Sequence, residues 1–123
     1  MNTERIESFE EFWPFYLGEH RDPVNRRLHY IGTGLVLLTL CVGLVLEQYA
    51  LLLAMPVLGY GFAWVGHFRV ELNRPATFTY PLWSLGADFK MFFLACLGRM
   101  PAQMIKYYGS EAPDKNAPRL SVH

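Results

Sequence analysis

Charge and cysteine are both scarce in this sequence. Charged residues make up 18% of the 123 residues, against about 25% in an average soluble protein, and the 11 Lys and Arg balance the 11 Asp and Glu. A zero net charge without a basic run lacks the electrostatic footprint of nucleic-acid binding, so no nucleic-acid partner is expected. The two cysteines form no CxxC pair, so neither a disulfide framework nor a thiol-based metal site is predicted.

Several motifs of redox and membrane enzymes are also missing. No dinucleotide-binding motif occurs. Clusters of the HxxxH or HxxHH type, which membrane desaturases and hydroxylases require, are absent as well. The first residues are acidic and lead into no apolar h-region, so they do not resemble a signal peptide.

Two long runs without charge are present instead. Arg27 and Glu47 enclose 19 uncharged residues, and Glu47 and Arg69 enclose 21. As helices with a rise of about 1.5 Å per residue, these runs span roughly 28 and 31 Å, close to the hydrocarbon thickness of about 30 Å. Both are apolar all round, whereas a soluble helix would show one polar face. We therefore predict a transmembrane hairpin with spans over about 28–46 and 48–68; a buried hairpin in a soluble helical bundle is the alternative.

The remaining segments predict shorter helices. Residues 6–17 place apolar side chains on one side of an amphipathic helix, which Pro14 is expected to kink or divide. A helical pattern returns over about 78–108 as further membrane-associated helices. The expected fold is thus an all-α, multi-pass helical membrane protein with one domain over 1–109, followed by a disordered tail over 110–123.

The distribution of positive charge predicts the orientation in the membrane. Arginines flank the outer ends of the two runs, whereas the turn at Glu47 has neither Lys nor Arg. By the positive-inside rule, both termini and any site at the outer helix ends face the cytoplasm. Membrane lipid is therefore an expected partner. The sequence does not indicate an oligomeric state, and a homo-oligomer is left open.

Three of the four histidines are expected to meet at this cytoplasmic level. His29 lies about 18 residues before the turn and His67 about 19 after it, so a hairpin places them at the same depth within about one helical rise. His20 precedes His29 by nine residues. Asp22 suits an N-cap and Pro23 the first helical position, and this break allows His20 to fold back towards His29.

Further polar residues are placed to join the histidines: Asn25, Glu71, Arg74 and Asp88. Helical spacing of four puts Asn25 and Glu71 each on the face of a neighbouring histidine. Arg74 continues the Glu71 stripe and is a candidate partner for a substrate carboxylate, with membrane anchoring as the alternative. Asp88 is the other carboxylate that could approach. His123 is given no role.

Three imidazoles with one or two carboxylates and no nearby thiol describe a metal site with nitrogen and oxygen ligands. Such a set suits Fe(II), Zn or Mn, and histidine plus carboxylate with open positions is typical of non-haem iron oxygenases. Two alternatives stay open. One is a hydrogen-bonded polar rim without a metal. The other is a b-type haem held by His29 and His67, which would leave His20 and Glu71 unused.

Three segments carry unusual polar residues beside the apolar runs: HRDPVNRRLHYIGT at 20–33, GHFRVELNRPA at 66–76 and YPLWSLGAD at 80–88. In this order they resemble the fungal 2-hydroxy-palmitate dioxygenase family, which was long described only as a domain of unknown function. The resemblance covers roughly residues 9–100.

The resemblance implies Fe(II)-dependent α-oxidation of a 2-hydroxy fatty acid by O₂, giving a fatty acid one carbon shorter. By position it implies that His20, His29 and His67 are the iron ligands, with Glu71 next. Other function classes remain for the sequence alone: a haem- or metal-binding membrane protein without this reaction, or a non-catalytic helical membrane module.

Overall fold

The structure is a computed structural model that describes residues 5–120, and the regular secondary structure in this part of the chain is entirely helical. The five α-helices are α1 (Phe9–Gly18), α2 (Pro23–Val45), α3 (Ala54–Val65), α4 (Pro81–Cys96) and α5 (Met100–Tyr108). Two 3₁₀ turns cover Tyr49–Leu53 and Ala76–Phe78, and a π-helical segment continues α3 over Gly66–Glu71. The all-α prediction is confirmed.

Helices α2 and α3 form an antiparallel hairpin. As expected, α2 begins after Asp22, whose carboxylate accepts the backbone N–H of Val24, and Pro23 occupies the first helical position. The two helices approach closely at Gly32, where a Cβ would lie 3.1 Å from the carbonyl oxygen of Leu58. A side chain at this position would push the two backbones apart by a few tenths of an ångström, so glycine favours this close crossing.

The hairpin contains two helical stretches that are long and apolar enough to cross a membrane. They are Pro23–Val45, with a mean hydropathy of 2.0, and Tyr49–Glu71, with a mean hydropathy of 1.5. Of their most apolar windows only 22% and 11% is buried within the described residues, so side chains such as Leu38 and Val57 face outward. The core helix of a soluble protein would be mostly buried. The first stretch includes five residues before the start of the predicted span at residue 28, and it begins at Pro23, where the sequence predicted the helix to begin.

The hydrophobic core lies outside the hairpin, where α1, α4 and α5 pack together. Helix α1 is capped by Ser8, whose hydroxyl accepts the N–H of Glu11. It continues through Pro14, which had been expected to kink or divide it. The carbonyl that loses its partner there belongs to Glu10, in the exposed first turn, where water can replace the missing N–H. The buried residues of this core are Phe12, Trp13, Tyr16, Leu17, Ala76, Ala87, Met91, Met100, Met104 and Tyr108.

The segment after α5 returns towards the start of α2. Helix α5 ends at Gly109, which has a φ of 82°. The Arg21 guanidinium then donates to the carbonyls of Asp114 at 2.5 Å and Ala117 at 2.9 Å. These charge-assisted bonds join residues 110–120 to the start of α2. Residues 121–123, which include His123, lie outside the described residues.

Candidate metal centre

Three histidines meet where the open end of the hairpin contacts the α1–α4–α5 core. His20 follows α1, His29 lies in the second turn of α2, and His67 lies on the π-helical segment after α3. All three are buried, with exposed fractions of 1%, 3% and 2%. One ligand atom from each lies within 4.8 Å of the others. The prediction that these histidines converge at one level is met by this geometry.

Backbone carbonyls fix the tautomers of two of these rings. The Nδ1 atom of His20 lies 2.6 Å from the carbonyl oxygen of Tyr16, and that of His29 lies 2.9 Å from the carbonyl oxygen of Asn25. A carbonyl oxygen can only accept, so each Nδ1 carries the proton and donates it. Each Nε2 therefore presents a lone pair, which is the form that binds a metal ion.

An amide fixes the third ring in the same way. The Nδ1 atom of His67 lies 2.7 Å from Oδ1 of Asn73. The Asn73 amide nitrogen donates to Glu19, at 3.0 Å to its carbonyl and 2.8 Å to its carboxylate. Glu19 thereby orients the Asn73 amide with its oxygen towards His67, so the His67 Nδ1 donates and its Nε2 is free to bind a metal.

The Nε2 atoms of His20 and His29 are close enough for a shared cation to stabilise them. The Nε2 atoms of His20 and His29 are 3.1 Å apart, and two lone pairs at this distance repel unless a proton or a metal ion lies between them. A proton is disfavoured because burial lowers the pKa of His20 well below its usual value, and the adjacent His29 and His67 imidazoles lower it further. Two nitrogens each about 2.1 Å from one ion are roughly 3.0 to 3.4 Å apart in right-angled to tetrahedral geometry. The three histidines therefore fit a metal ion.

Local backbone features bring these side chains together. Leu72, in the left-handed conformation with a φ of 59°, ends the π-helical segment and returns Asn73 to His67, whose carbonyl accepts the Asn73 N–H at 2.9 Å. Single π-helical turns are frequent at functional sites. Gly66 packs against the Asn25 side chain, and a Cβ on Gly66 would fall 1.8 Å from Oδ1 of Asn25. The absence of a side chain at Gly66 thus allows α2 and the π-helical segment to approach.

The carboxylate of Glu71 lies beside the histidines without joining them. Within the described residues, the group of converging ligand atoms contains only histidine nitrogens. Glu71 Oε1 instead accepts the backbone N–H of Asp22 at 2.5 Å and lies 3.4 Å from the Asn25 amide nitrogen. It therefore satisfies a donor at the start of α2 and orients Asn25, whose carbonyl holds His29. The sequence predicted Glu71 as the next metal ligand after the histidines, but its carboxylate does not belong to the group of converging ligand atoms.

Of the two other candidates predicted from the sequence, Asp88 lies at the histidines and Arg74 does not. Asp88 lines the cavity at the histidines, and its carboxylate accepts a hydrogen bond from the Tyr16 hydroxyl. Burial raises the pKa of Asp88 to about 7, although the Tyr16 bond opposes this rise. Arg74 is exposed, with its guanidinium 4.9 Å from the centre of the Phe78 ring. The helical stripe that was expected to carry Arg74 to the site ends before it, because the chain turns at Leu72.

Several residues of the centre were missed from the sequence. Tyr16 stacks on His20 with ring centres 4.0 Å apart. Tyr16 precedes His20 by four residues, and this helical spacing could have indicated that the two side chains meet. Ser84 lies one turn before Asp88 and lines the same cavity; its buried hydroxyl has no hydrogen-bond partner within the described residues. Asn73 stands in the second resembling segment, but nothing in the sequence indicates the turn that returns it.

Arg26 also has a role that charge counting did not reveal. It was counted only as a positive flank of the first span, yet just 6% of it is exposed. One guanidinium nitrogen donates to the backbone carbonyls of His20 at 2.7 Å and Arg21 at 2.9 Å. The other donates to the backbone carbonyl of Glu111 at 2.6 Å. Arg26 therefore holds the loop that carries His20 and joins it to the segment after α5.

Two adjoining cavities complete the site. The first, of about 10 Å³, is enclosed by the three histidines with Tyr16, Ser84 and Asp88 among its other walls. This volume suits one water or one ion, and it leaves no room for a porphyrin between His29 and His67. The second is a cleft of about 260 Å³ between α2, α3 and α4.

A family model described as 2-hydroxy-palmitic acid dioxygenase Mpo1-like matches residues 6–100. The chain belongs to this family. The family suggested by segments 20–33, 66–76 and 80–88 is thus confirmed, and the matched range contains all three histidines of the centre. No curated protein and no solved structure matches the chain.

Proposed function

We propose that this Mpo1-like protein is an Fe(II)-dependent dioxygenase that shortens 2-hydroxy fatty acids by one carbon. One observation carries the proposal beyond family membership. Three buried imidazoles, each fixed with its proton on Nδ1, direct three Nε2 lone pairs at one ion-sized cavity. Imidazole donors suit iron as well as zinc and manganese, and the dioxygenase chemistry of the family favours iron among them.

His20, His29 and His67 would hold the iron, which supplies the one-electron chemistry that reaction with O₂ requires. The three ligands are neutral, so the charge of a divalent ion is not compensated by the described ligand set. This favours an anionic substrate. A 2-hydroxy acid has a carboxylate and an adjacent hydroxyl, whose oxygens complete a set of nitrogen and oxygen donors.

The stoichiometry needs no further reductant. A 2-hydroxy acid and O₂ balance to the acid one carbon shorter, CO₂ and water, because the carbon that bears the hydroxyl and the carboxyl carbon supply the electrons. The protein itself supplies one group beside the metal centre that can hold a proton, the carboxyl group of Asp88. Asp88 lies between the histidine cavity and the cleft, and its pKa of about 7 allows it to hold or release a proton near neutral pH.

The test is metal analysis joined to product analysis. Purified protein loaded with Fe(II) should contain near-stoichiometric iron and should convert 2-hydroxypalmitate and O₂ to the acid one carbon shorter, detected by mass spectrometry. The variant His67→Ala should lose both iron and product. His123→Ala, which removes the histidine that the sequence gives no role, is the matched control and should keep both.

Each alternative has its own signature in the same experiment. A Soret band would show a haem protein, and a protein without any metal would be a helical membrane module. Iron-loaded protein that never shortens a 2-hydroxy fatty acid would contradict the proposed reaction even if the metal centre is real.

We further infer that the α2–α3 hairpin is integral to a membrane, with both termini and the metal centre on the cytoplasmic side. The support is the length and outward-facing apolarity of the hairpin and the arginines at its outer ends. A reporter that is active only in the cytoplasm, inserted at the Glu47 turn, should be inactive. Activity of that reporter would overturn the orientation, whereas a fusion before residue 5 serves as the positive control.

A further inference from the structure

The cleft beside the metal centre is polar at one end and apolar at the other. It shares three residues with the histidine cavity: His29, Ala63 and Asp88. Away from the centre its walls are Val36 on α2 and Met55 and Pro56 on α3. The cleft therefore leads from a site for charged atoms into an apolar channel, which is the polarity of a molecule with one charged head and one hydrocarbon tail.

The length of the cleft gives a scale for its occupant. From His29 to Val36 the α2 wall rises about 10 Å, and from Ala63 to Met55 the α3 wall rises about 12 Å, at about 1.5 Å per residue. An extended chain advances about 1.2 Å per bond, taken from about 3.5 Å for three backbone bonds. About eight to ten bonds of an extended chain therefore separate the metal centre from Met55.

We propose that this cleft binds the acyl chain of one free fatty acid, with the carboxyl end at His29 and Asp88 and the chain running past Met55. This rests on the proposed function, since it places the substrate of that reaction. A volume of about 260 Å³ and a single polar end fit one chain better than a phospholipid with two chains and a large headgroup. Leu85, which is 47% exposed at the cleft wall, lies on the side from which a chain can enter out of the bilayer.

Binding can be tested without catalysis. The full chain in detergent micelles, without iron, is irradiated with a saturated fatty acid that carries a diazirine about nine bonds from its carboxyl carbon. Labelled peptides should centre on Met55 and Val36, and an excess of 2-hydroxypalmitate should suppress the labelling. Labelling that is equally strong on the outward-facing Leu38 and Val57, or that 2-hydroxypalmitate does not suppress, would overturn the proposal. Stronger cleft labelling by a diazirine phospholipid would assign the cleft to bilayer lipid and would also overturn it.

Substitution of Met55 gives the second readout. Met55→Trp should weaken binding of a sixteen-carbon acid at least tenfold and shift preference towards chains that end before Met55. Met55→Ala, which keeps the cleft open if the tryptophan disturbs folding, should reduce discrimination between chain lengths. Val57→Trp is the matched control, because Val57 lies two residues away and is 72% exposed. Equal chain-length profiles for the Met55 variants and Val57→Trp would contradict the proposal.

The two proposals can fail separately. Cleft labelling without any oxidation would reject the proposed reaction and keep the acyl-chain site. Oxidation together with labelling outside the cleft would reject the acyl-chain site and keep the reaction. Each methylene removed from a chain that ends within the cleft should lower the affinity about fourfold, since burial of one CH₂ is favourable by an amount of this size.

Discussion

The two halves of the α2–α3 hairpin bury opposite kinds of side chain. Near the turn, over residues 34–58, Gly43 is the one buried residue, and many of the large apolar side chains, such as Leu38, Leu53 and Val57, face outward. Near the open end the buried residues are mainly polar: Asn25, Arg26, His29, Thr33, His67 and Glu71. The same two helices thus expose apolar side chains at the turn end and bury polar side chains at the open end.

The difference shows what each half requires from its surroundings. The turn half is left mostly uncovered by the described residues, apart from α4 on one side, which suits a surrounding of lipid. The open half is covered by α1, α4 and the segment after α5, and this cover excludes water from the histidines. Excluding water is costly for a charged imidazole but favours a metal ion bound by neutral nitrogens. The cover is therefore as necessary to the metal centre as the ligands are.

The largest predicted effect comes from forcing the two helices apart at the open end. In Gly66→Ala the new Cβ would overlap the Asn25 amide, so the fully buried Asn25 side chain must be displaced, and we expect this to disturb the packing of α2 on the π-helical segment and the position of His29. Overpacking of this kind costs about 1 to 3 kcal/mol, and we expect most of the bound metal to be lost. Thermal unfolding and metal content measure the two effects.

Gly61→Ala is the matched control for this change. Gly61 lies on α3, five residues earlier, and its Cβ would meet no atom within 4 Å. Alanine should therefore be neutral or stabilise the helix by up to about 1 kcal/mol. If both alanine variants behaved alike, the close approach at Gly66 would not be what holds the centre together.

The second prediction removes the support of one histidine without touching a ligand. In Asn73→Ala the His67 Nδ1 loses its acceptor and Glu19 loses its amide partner. Loss of such a hydrogen bond lowers metal affinity by about 10- to 100-fold. Competition with a chelator of known affinity measures it. The exposed Asn116 provides the control, and Asn116→Ala should leave the affinity unchanged.

These two positions also show how far the sequence can predict the centre. The histidines could be aligned in depth because a hairpin with one known turn has a regular rise, and their flanking segments suggested the family. Gly66 and Asn73 could not be placed, because their roles depend on a helix crossing and on the left-handed turn at Leu72. Arg74 was misplaced for the same reason, since an unbroken helical period was assumed through that turn.

The fold, like the metal centre, has a part that local sequence predicts and a part that depends on contacts between distant residues. The charge-free runs predicted the two long helices because composition and length alone decide whether a helix could lie in lipid. The cover was harder to predict, because its core is formed by residues far apart in sequence. Met104 on α5 and Phe12 on α1 are both fully buried in one cluster, and neither has a local pattern that names the other.

The third prediction tests whether water is excluded from the covered, open half of the hairpin, where Asp88 lies. Burial raises the pKa of Asp88 from 3.8 to about 7, so the folded protein holds a proton there that the unfolded chain releases above about pH 4. The contribution of Asp88 to stability should therefore decrease as the pH rises from about 4 to 7 and be constant above that. Asp88→Asn removes this dependence and should raise the unfolding temperature of the metal-free protein at pH 8 by a few degrees relative to wild type.

The difference between wild type and variant is the quantity to measure, because other groups titrate in the same range. Thermal unfolding at pH 5 and pH 8 should show a larger gain for Asp88→Asn at pH 8. Glu47→Gln, at the exposed turn of the hairpin, is the control and should show equal behaviour at both pH values. A gain that did not depend on pH would mean that Asp88 is not held in its protonated form by burial.

The smallest predicted effect belongs to Ser84. Its hydroxyl is buried in the histidine cavity without a partner in the described part of the chain, and such a group costs about 1 to 3 kcal/mol when nothing binds it. Ser84→Ala should therefore stabilise the metal-free protein by up to about 1 kcal/mol. If the hydroxyl instead meets bound substrate, the same variant should weaken binding of 2-hydroxypalmitate several-fold while metal affinity stays the same. Denaturation of the metal-free protein and lipid titration of the iron-loaded protein separate these two effects. A loss of stability in Ser84→Ala would show that the hydroxyl has a partner in the fold, and the polar wall facing the histidines would then be structural rather than directed at a ligand.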